Sequence, residues 1–390
     1  MAQKKSQNHV YDYAIIGSGL SGLSIAAALS RFTDNIALLE SGDVSGGMNR
    51  AIKFPTGVTN NGLRYVPDTE SARNAIDFLE NVLGLKIAGE SQELPPITYA
   101  SGTFKPFVGF GENPPPFYEE LNYFTANKTL GLKLEPYAWT QLLFEKFKGE
   151  FMPRSYVTKF NAVGETVTQV TINGAKTLSA HNFIFCGSVK DLAILLPEDA
   201  ISIRARQRLS KNTYWTALCL DICHTRAVTD VASMHILNGT TEDEIGPCVG
   251  RFSPAVTEGE QTLQASQWMT FIEDEVTEDS EVVGAALKKI KRQIKRAYPE
   301  ALESVKLERI VVAPQIAGDG ELKLNGNQSL PGLNNLWVAS GPVNAQKNLI
   351  GALAQANLVM AALGFDVTAP VVSTEAETQA ETDSETPAEM

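Results

Sequence analysis

Gly17, Gly19 and Gly22 stand in the spacing Gly-x-Gly-x-x-Gly, and an acid, Glu40, follows 23 residues after the first of them. Glycines so spaced suit one task, the gripping of a diphosphate by main-chain amides. Gly17 permits a tight turn, Gly19 lets the backbone approach a pyrophosphate, and Gly22 allows a helix to pack closely on a strand. Leu20 and Ser21 open the helix whose unpaired N–H groups and positive dipole end face the same phosphates. Glu40, with Ser41 beside it, offers a carboxylate that accepts hydrogen bonds from adenosine ribose hydroxyls. A negative charge there repels a 2′-phosphate, which disfavours NADP.

The spacing alone carries little weight, because glycines gather in loops; its surroundings supply the rest. Tyr13-Ala-Ile-Ile16 is a short apolar strand, 20–32 has a helical, alanine-rich composition, and 35–40 is a second strand ending in the acid. Strand, glycine turn, helix and strand make a βαβ unit, which implies a parallel sheet. Helical periodicity returns at 68–84, 137–148, 281–298 and 349–363, and 97–111 alternates as a hairpin turning at Ser101-Gly102. Further strands are expected at 155–160, 166–172, 182–186, 217–223, 267–272, 307–312 and 335–339, with 214–272 mostly β. A Pro-rich loop, Pro114-Pro115-Pro116, precedes an aromatic segment.

Past Glu40 stands a glycine pair, Gly46-Gly47, and there the chain resembles the flavin-containing amine oxidase superfamily, which includes protoporphyrinogen oxidases and carotenoid desaturases. The resemblance continues at Asn60-Asn61-Gly62, at Val157 and the strands after it, at 331–341, and at Gly351-Ala352. It implies an α/β fold: an FAD-binding Rossmann-like domain of the GR2 type with a parallel sheet, interleaved with an α+β substrate domain. The first would comprise 1–66, 151–200 and 308–370, and the second 67–150 and 201–307. The cofactor it implies is FAD, held without a covalent bond because the late turn has no cysteine. To the residues above it adds Gly46, Gly47, Met48, the Val157 backbone, Gly341, and Leu349, Ile350, Gly351 and Ala352 at the start of the last helix. The sequence departs from the family pattern at Val44 (usually Arg), Pro342 (usually an acid), Ile350 (usually Glu) and Gln355-Ala356 (usually Ser-Gly).

The activity so implied is an FAD-dependent oxidoreductase taking hydride from an amine or an allylic or cyclic C–H donor. Two alternatives keep the fold: a non-redox flavoprotein, as in galactopyranose mutases, and a non-catalytic binding protein, as in Rab GDP-dissociation inhibitors. An NAD enzyme is disfavoured by Gly46-Gly47. No motif fixes a catalytic residue; Lys347 and Lys211 are candidates, with surface lysine the plainer reading of both. Tyr99, Phe107, Phe110, Phe117, Tyr214 and Trp268 are candidates for a partly apolar substrate pocket, although strand aromatics more often fill cores.

Composition narrows the field further. With 43% apolar and 20% charged residues the chain is of the globular type, and its net charge of −12 argues against nucleic acid as a partner. Half of that charge lies in 371–390, where six acids occur with no Lys or Arg, a composition expected to be disordered. No run of 18 apolar residues suggests a transmembrane segment, and the polar start of the sequence lacks a signal-peptide pattern, so a cytoplasmic setting is expected. Cys219, Asp221 and Cys223 share one face of a strand without metal-site spacing, so no metal is expected. The basic face of 281–298 (Lys288, Lys289, Lys291, Arg292, Lys295, Arg296) reads as a solvated helix surface, with peripheral lipid contact the lesser alternative.

Overall fold

The βαβ unit forms as its sequence directs. Val10–Ile16 and Ile36–Leu39 lie parallel, joined by the helix Leu20–Leu29, which is buried along its whole length. Four small residues, Ala26, Ala27, Ala28 and Gly22, let this helix sit tightly between the sheet and its neighbours. The computed structural model describes residues 9–112, 117–211, 213–238, 247–318, 322–344, 346 and 348–368. The 371–390 tail, the Pro114–Pro116 loop and Lys347 lie outside them, and of Lys211 only the backbone is described.

A seven-stranded sheet grows around this unit. Lys176–Phe185 lies parallel to Val10–Ile16 on one side, and Glu150–Met152 lies parallel to Ile36–Leu39 on the other. Lys176–Phe185 also carries the antiparallel pair Thr166–Ile172 and Val157–Val163, and pairs in parallel with Leu336–Val338. Side-chain alternation splits the core into two layers. Ile15, Leu38 and Ile184 point toward the helices Leu20–Leu29, Glu70–Leu83, Pro136–Lys146 and Asn348–Ala362. Ala14, Ile16, Leu39, Phe183 and Phe185 point toward the 157–172 hairpin and the helix Val189–Leu195.

A second sheet runs in the order Val305–Gly318, Tyr214–His224, Gln261–Glu273, Cys248–Phe252, His235–Leu237, Ile97–Ala100, Thr103–Pro106. Its pairs are antiparallel except that between His235 and Ile97. The expected hairpin turn is present, with Ser101 and Gly102 both left-handed. The strand expected at 307–312 belongs here, so it pairs with 214–224 rather than with the segments grouped above as the nucleotide unit. Helix Ser280–Ala297 packs Ile290, Ile294 and Ala297 on one face of this sheet against Leu220, Ile222 and Trp268. Most of its lysines and arginines lie away from the sheet, while Lys291 reaches back to pair with Glu308 of the edge strand at 2.5 Å. The opposite face of the sheet, with Ala217, Cys219, Met269 and Phe271, packs against Leu63, Tyr65, Phe117, Leu121 and Phe124. That seam ties the 63–65 and 117–124 segments to the second sheet.

Candidate dinucleotide site

Gly17 sits at φ +103°, a left-handed turn that other residues adopt only under strain, and its N–H donates to Leu39 O at 2.8 Å. The turn leads into Gly19, extended at φ −72° and ψ −171°, which caps the helix at Leu20. The three glycines differ in what surrounds them. A side chain on Gly22 would come within 1.9 Å of Gly17 O, whereas on Gly19 it would meet nothing within 4 Å. Gly22 is therefore glycine for close packing, and Gly19 leaves an open face on the backbone. Gly46 N–H donates to Ser18 O at 2.8 Å, and a side chain on Gly47 would approach Gly19 Cα at 3.1 Å. The glycine pair thus crosses directly over the first turn.

Glu40 is bound by that turn. Its Oε2 accepts from Ser18 N at 3.0 Å and Ser18 Oγ at 2.5 Å, and its Oε1 accepts from Gly42 N at 2.8 Å and Ser41 Oγ at 3.2 Å. Burial works to raise its pKa, but these four donors outweigh it, and the carboxyl sits below its ordinary value. Two of the donors are amides and fixed; the two serine hydroxyls can rotate. Ser155 N–H donates to Glu40 O at 2.7 Å and Arg154 N–H to Gly42 O at 2.9 Å. Val157 therefore lies two residues from the Glu40 loop, with its own side chain buried in the hairpin core.

From the turn a cavity of about 280 Å³ opens inward. Seven of the residues expected from the sequence line it: Gly19, Leu20, Ser21, Met48, Gly341, Leu349 and Ala352. Gly17, Gly22, Gly46 and Gly47 brace it from behind, as does Gly351, where a side chain would come within 2.2 Å of Gln346 O. Ile350 is buried among the helices. Ser21 Oγ donates to Ala339 O at 2.5 Å, tying the first helix to the late strand. Gln355, at a position where the sequence departs from the family pattern, is buried and donates to Val338 O at 2.9 Å while accepting from Asn344 at 3.2 Å. It holds the turn that contains Gly341 and Pro342. Val44, a second such position, is exposed.

The remaining wall was not read from the sequence: Asn49, Leu63, Arg64, Tyr65, Tyr123, Phe124, Cys186, Gly187, Ser188, Met269, Ser340 and Asn348. Arg64 joins two parts of it. Its guanidinium donates to Met48 O at 2.6 Å, Asn49 Oδ1 at 2.8 Å and Leu63 O at 2.9 Å. Burial pushes its pKa down, opposed by Cys219 and Asp221. The one available signal was an arginine between the apolar Leu63 and Tyr65. The aromatic candidates Tyr99, Phe107, Phe110, Phe117, Tyr214 and Trp268 do not line the cavity; they pack within core clusters, and Tyr65, Tyr123 and Phe124 take their place. Asp221 bonds Arg309 at 2.9 Å and Gln267 at 3.1 Å. Among the described residues the cysteines are free and no cluster of His, Cys, Asp or Glu is placed to hold a metal ion. No described helix is long and apolar enough to cross a membrane. A wider groove of about 700 Å³ lies at the far ends of helices Leu20–Leu29, Glu70–Leu83 and Pro136–Lys146 and contains none of the expected residues.

Comparison with known proteins agrees with this geometry. Residues 15–82 match the family model of the NAD(P)-binding Rossmann-like domain. No curated protein matches the sequence. Among solved structures, an oxidoreductase from Methanosarcina mazei superposes with a TM-score of 0.65 at 12% identity, over 90% of this chain and 99% of that one. A proposed protoporphyrinogen oxidase from Exiguobacterium sp. 255-15 gives a TM-score of 0.65 at 12% identity, over 92% and 100%. Cyclohexylamine oxidase from Brevibacterium oxydans IH-35A gives 0.62 at 14% identity, over 91% and 99%. The chain shares the fold of these solved structures, a mixed α/β architecture with a Rossmann-like domain.

Proposed function

We propose that this chain binds FAD non-covalently along the glycine turn and into the cavity, and that it is an FAD-dependent oxidoreductase. Its donor would be a small molecule giving up hydride from an amine or an allylic or cyclic C–H bond. The observation that carries this reading is the convergence of three distant segments on one cavity: the 19–21 helix start, the 46–48 loop and the 341–352 turn and helix. The residues fit the cofactor, because among Gly17, Gly19 and Gly22 the one whose Cβ position is empty, Gly19, is the one that would face the proposed diphosphate. The nucleotide unit we assign comprises 9–66, 150–200 and 322–368, with Val305–Gly318 moved to the substrate unit on the strength of its pairing.

Each part of the chain then has a task. The amides after Gly19 grip the diphosphate, and rotation of the Ser18 and Ser41 hydroxyls frees Glu40 oxygens for a ribose. The first turn of helix Asn348–Ala362 presents Leu349 and Ala352 to the cavity, so its N–H groups lend positive potential to whatever lies there. Bound FAD would supply the hydride-accepting ring. Arg64 and Met48 fix the wall opposite that helix.

The test is the visible spectrum of the purified protein, with chromatography of the released cofactor. Wild-type protein is expected to carry flavin absorbance or to acquire it with added FAD. Gly19→Val should lose at least about 90% of the flavin, while open space at that Cβ leaves the thermal unfolding midpoint nearly unchanged. Full flavin retention in that variant, or a wild-type protein that takes up no FAD, would overturn the reading.

A further inference from the structure

We propose that a second chamber, beside the cofactor cavity, seats the anionic end of the donor, and that the substrate class is a small carboxylate-bearing molecule held by Arg251. The chamber encloses about 390 Å³ and shares Arg64 and Tyr65 with the first cavity, so a molecule seated in it abuts the proposed flavin site. Its rim is polar, with Asn60, Gln92, Glu135, Tyr137 and Gln267 among the lining residues.

Arg251 projects into it from strand Cys248–Phe252, where it stands opposite Gln267. It is half-buried, and among the described residues its guanidinium makes no hydrogen bond or ion pair. A cation withdrawn from water without a counter-charge favours an anion as its ligand, and the guanidinium fork matches a carboxylate in two parallel bonds. The other charges in the chamber do not supply that anion. Arg64 already directs three of its five N–H donors to Met48, Asn49 and Leu63, and Glu135 accepts from Asn60 at 3.0 Å. Two guanidinium groups against one carboxylate leave the chamber cationic, within a chain whose net charge is −12. An ammonium head would meet that positive potential. Tyr137 lines the same chamber, and its hydroxyl, also without a hydrogen bond among the described residues, is a further donor available to a bound acid.

The identification of this anion with the donor rests on the function proposed above; the anion site itself does not. The test is calorimetric titration of the full chain with glutarate and phenylacetate, each against its neutral amide, glutaramide and phenylacetamide. At least one acid is expected to bind about tenfold or more tightly than its amide, the worth of a charged hydrogen-bonded pair. Arg251→Met should erase that preference, and Arg251→Lys, which keeps the charge, should retain part of it. Flavin content of both variants should equal that of wild type, and the bound acid should perturb the flavin spectrum. Equal binding of acids and amides, or an Arg251→Met protein that keeps the preference, overturns the proposal. If the acids bind through Arg251 in a protein that takes up no FAD, the flavin reading fails and the anion site stands.

Discussion

At the scale of single residues, the nucleotide turn is a set of glycines with unequal reasons for being glycine. Gly22 has Gly17 O where a methyl group would go, so Gly22→Ala must push the backbone of the turn aside. We expect that substitution to cost about 1–3 kcal/mol in chemical denaturation, the usual penalty of overpacking. Gly19→Val, by contrast, is expected to act on the proposed ligand and to leave stability nearly unchanged. An equal loss of stability in the two variants would show the contrast to be wrong. The three glycines, Glu40 and the last helix were legible in the sequence because local spacing encodes them. Arg64, Tyr65, Tyr123 and Phe124 were not, because only the packing of their segments on the second sheet brings them to the cavity. Trp268 shows how fine the margin is. It was a pocket candidate, yet strand alternation sends it to the helix side, and its neighbour Met269 takes the cavity position.

Among the elements, helix Glu70–Leu83 shows how a buried charge can organise the chain around it. Thr69 caps its start by accepting from Ala72 N at 3.2 Å, and Gly84 ends it in the left-handed conformation at φ +70°. Glu80, 5% exposed, accepts from Ile87 N and Ala88 N at 2.8 Å each and pairs with Lys86, so it pins the chain that leaves the helix. Burial raises its pKa, but Lys86 and the two amides outweigh that and hold the carboxyl below its ordinary value. Glu80→Leu strands both amides and should destabilise the fold by about 2–4 kcal/mol. Glu80→Gln, which keeps a carbonyl acceptor, should cost clearly less. Equal losses measured by denaturant titration would count against the amide contacts. Long periodic helices such as this one were placed from sequence to within two residues. Three shorter ones, Tyr118–Asn122, Val189–Leu195 and Ile203–Lys211, were missed: the first two span two turns or fewer, and the third, IRARQRLSK, has too few apolar residues to mark a buried face.

For the molecule as a whole, two buried histidines couple stability to pH. Burial pushes His235 down to about 4 and also lowers His224, opposed only by backbone hydrogen bonds. Both stay neutral in the fold, while the unfolded chain protonates them below the ordinary value of 6.5. The contribution of His235 is thus fully present above 6.5 and is lost as pH falls toward about 4, and His224 acts in the same direction. The unfolding midpoint should decline across that window, and His235→Gln should flatten the decline; an unchanged slope would refute the assignment. The bond from Ser21 to Ala339 has a consequence of another kind. The two walls of the cavity come from distant parts of the sequence, since Gly19 and Ala352 both line it. A nascent polypeptide on the ribosome therefore has no finished pocket to fill. If the cavity takes FAD as proposed, products arrested before helix Asn348–Ala362 should emerge colourless.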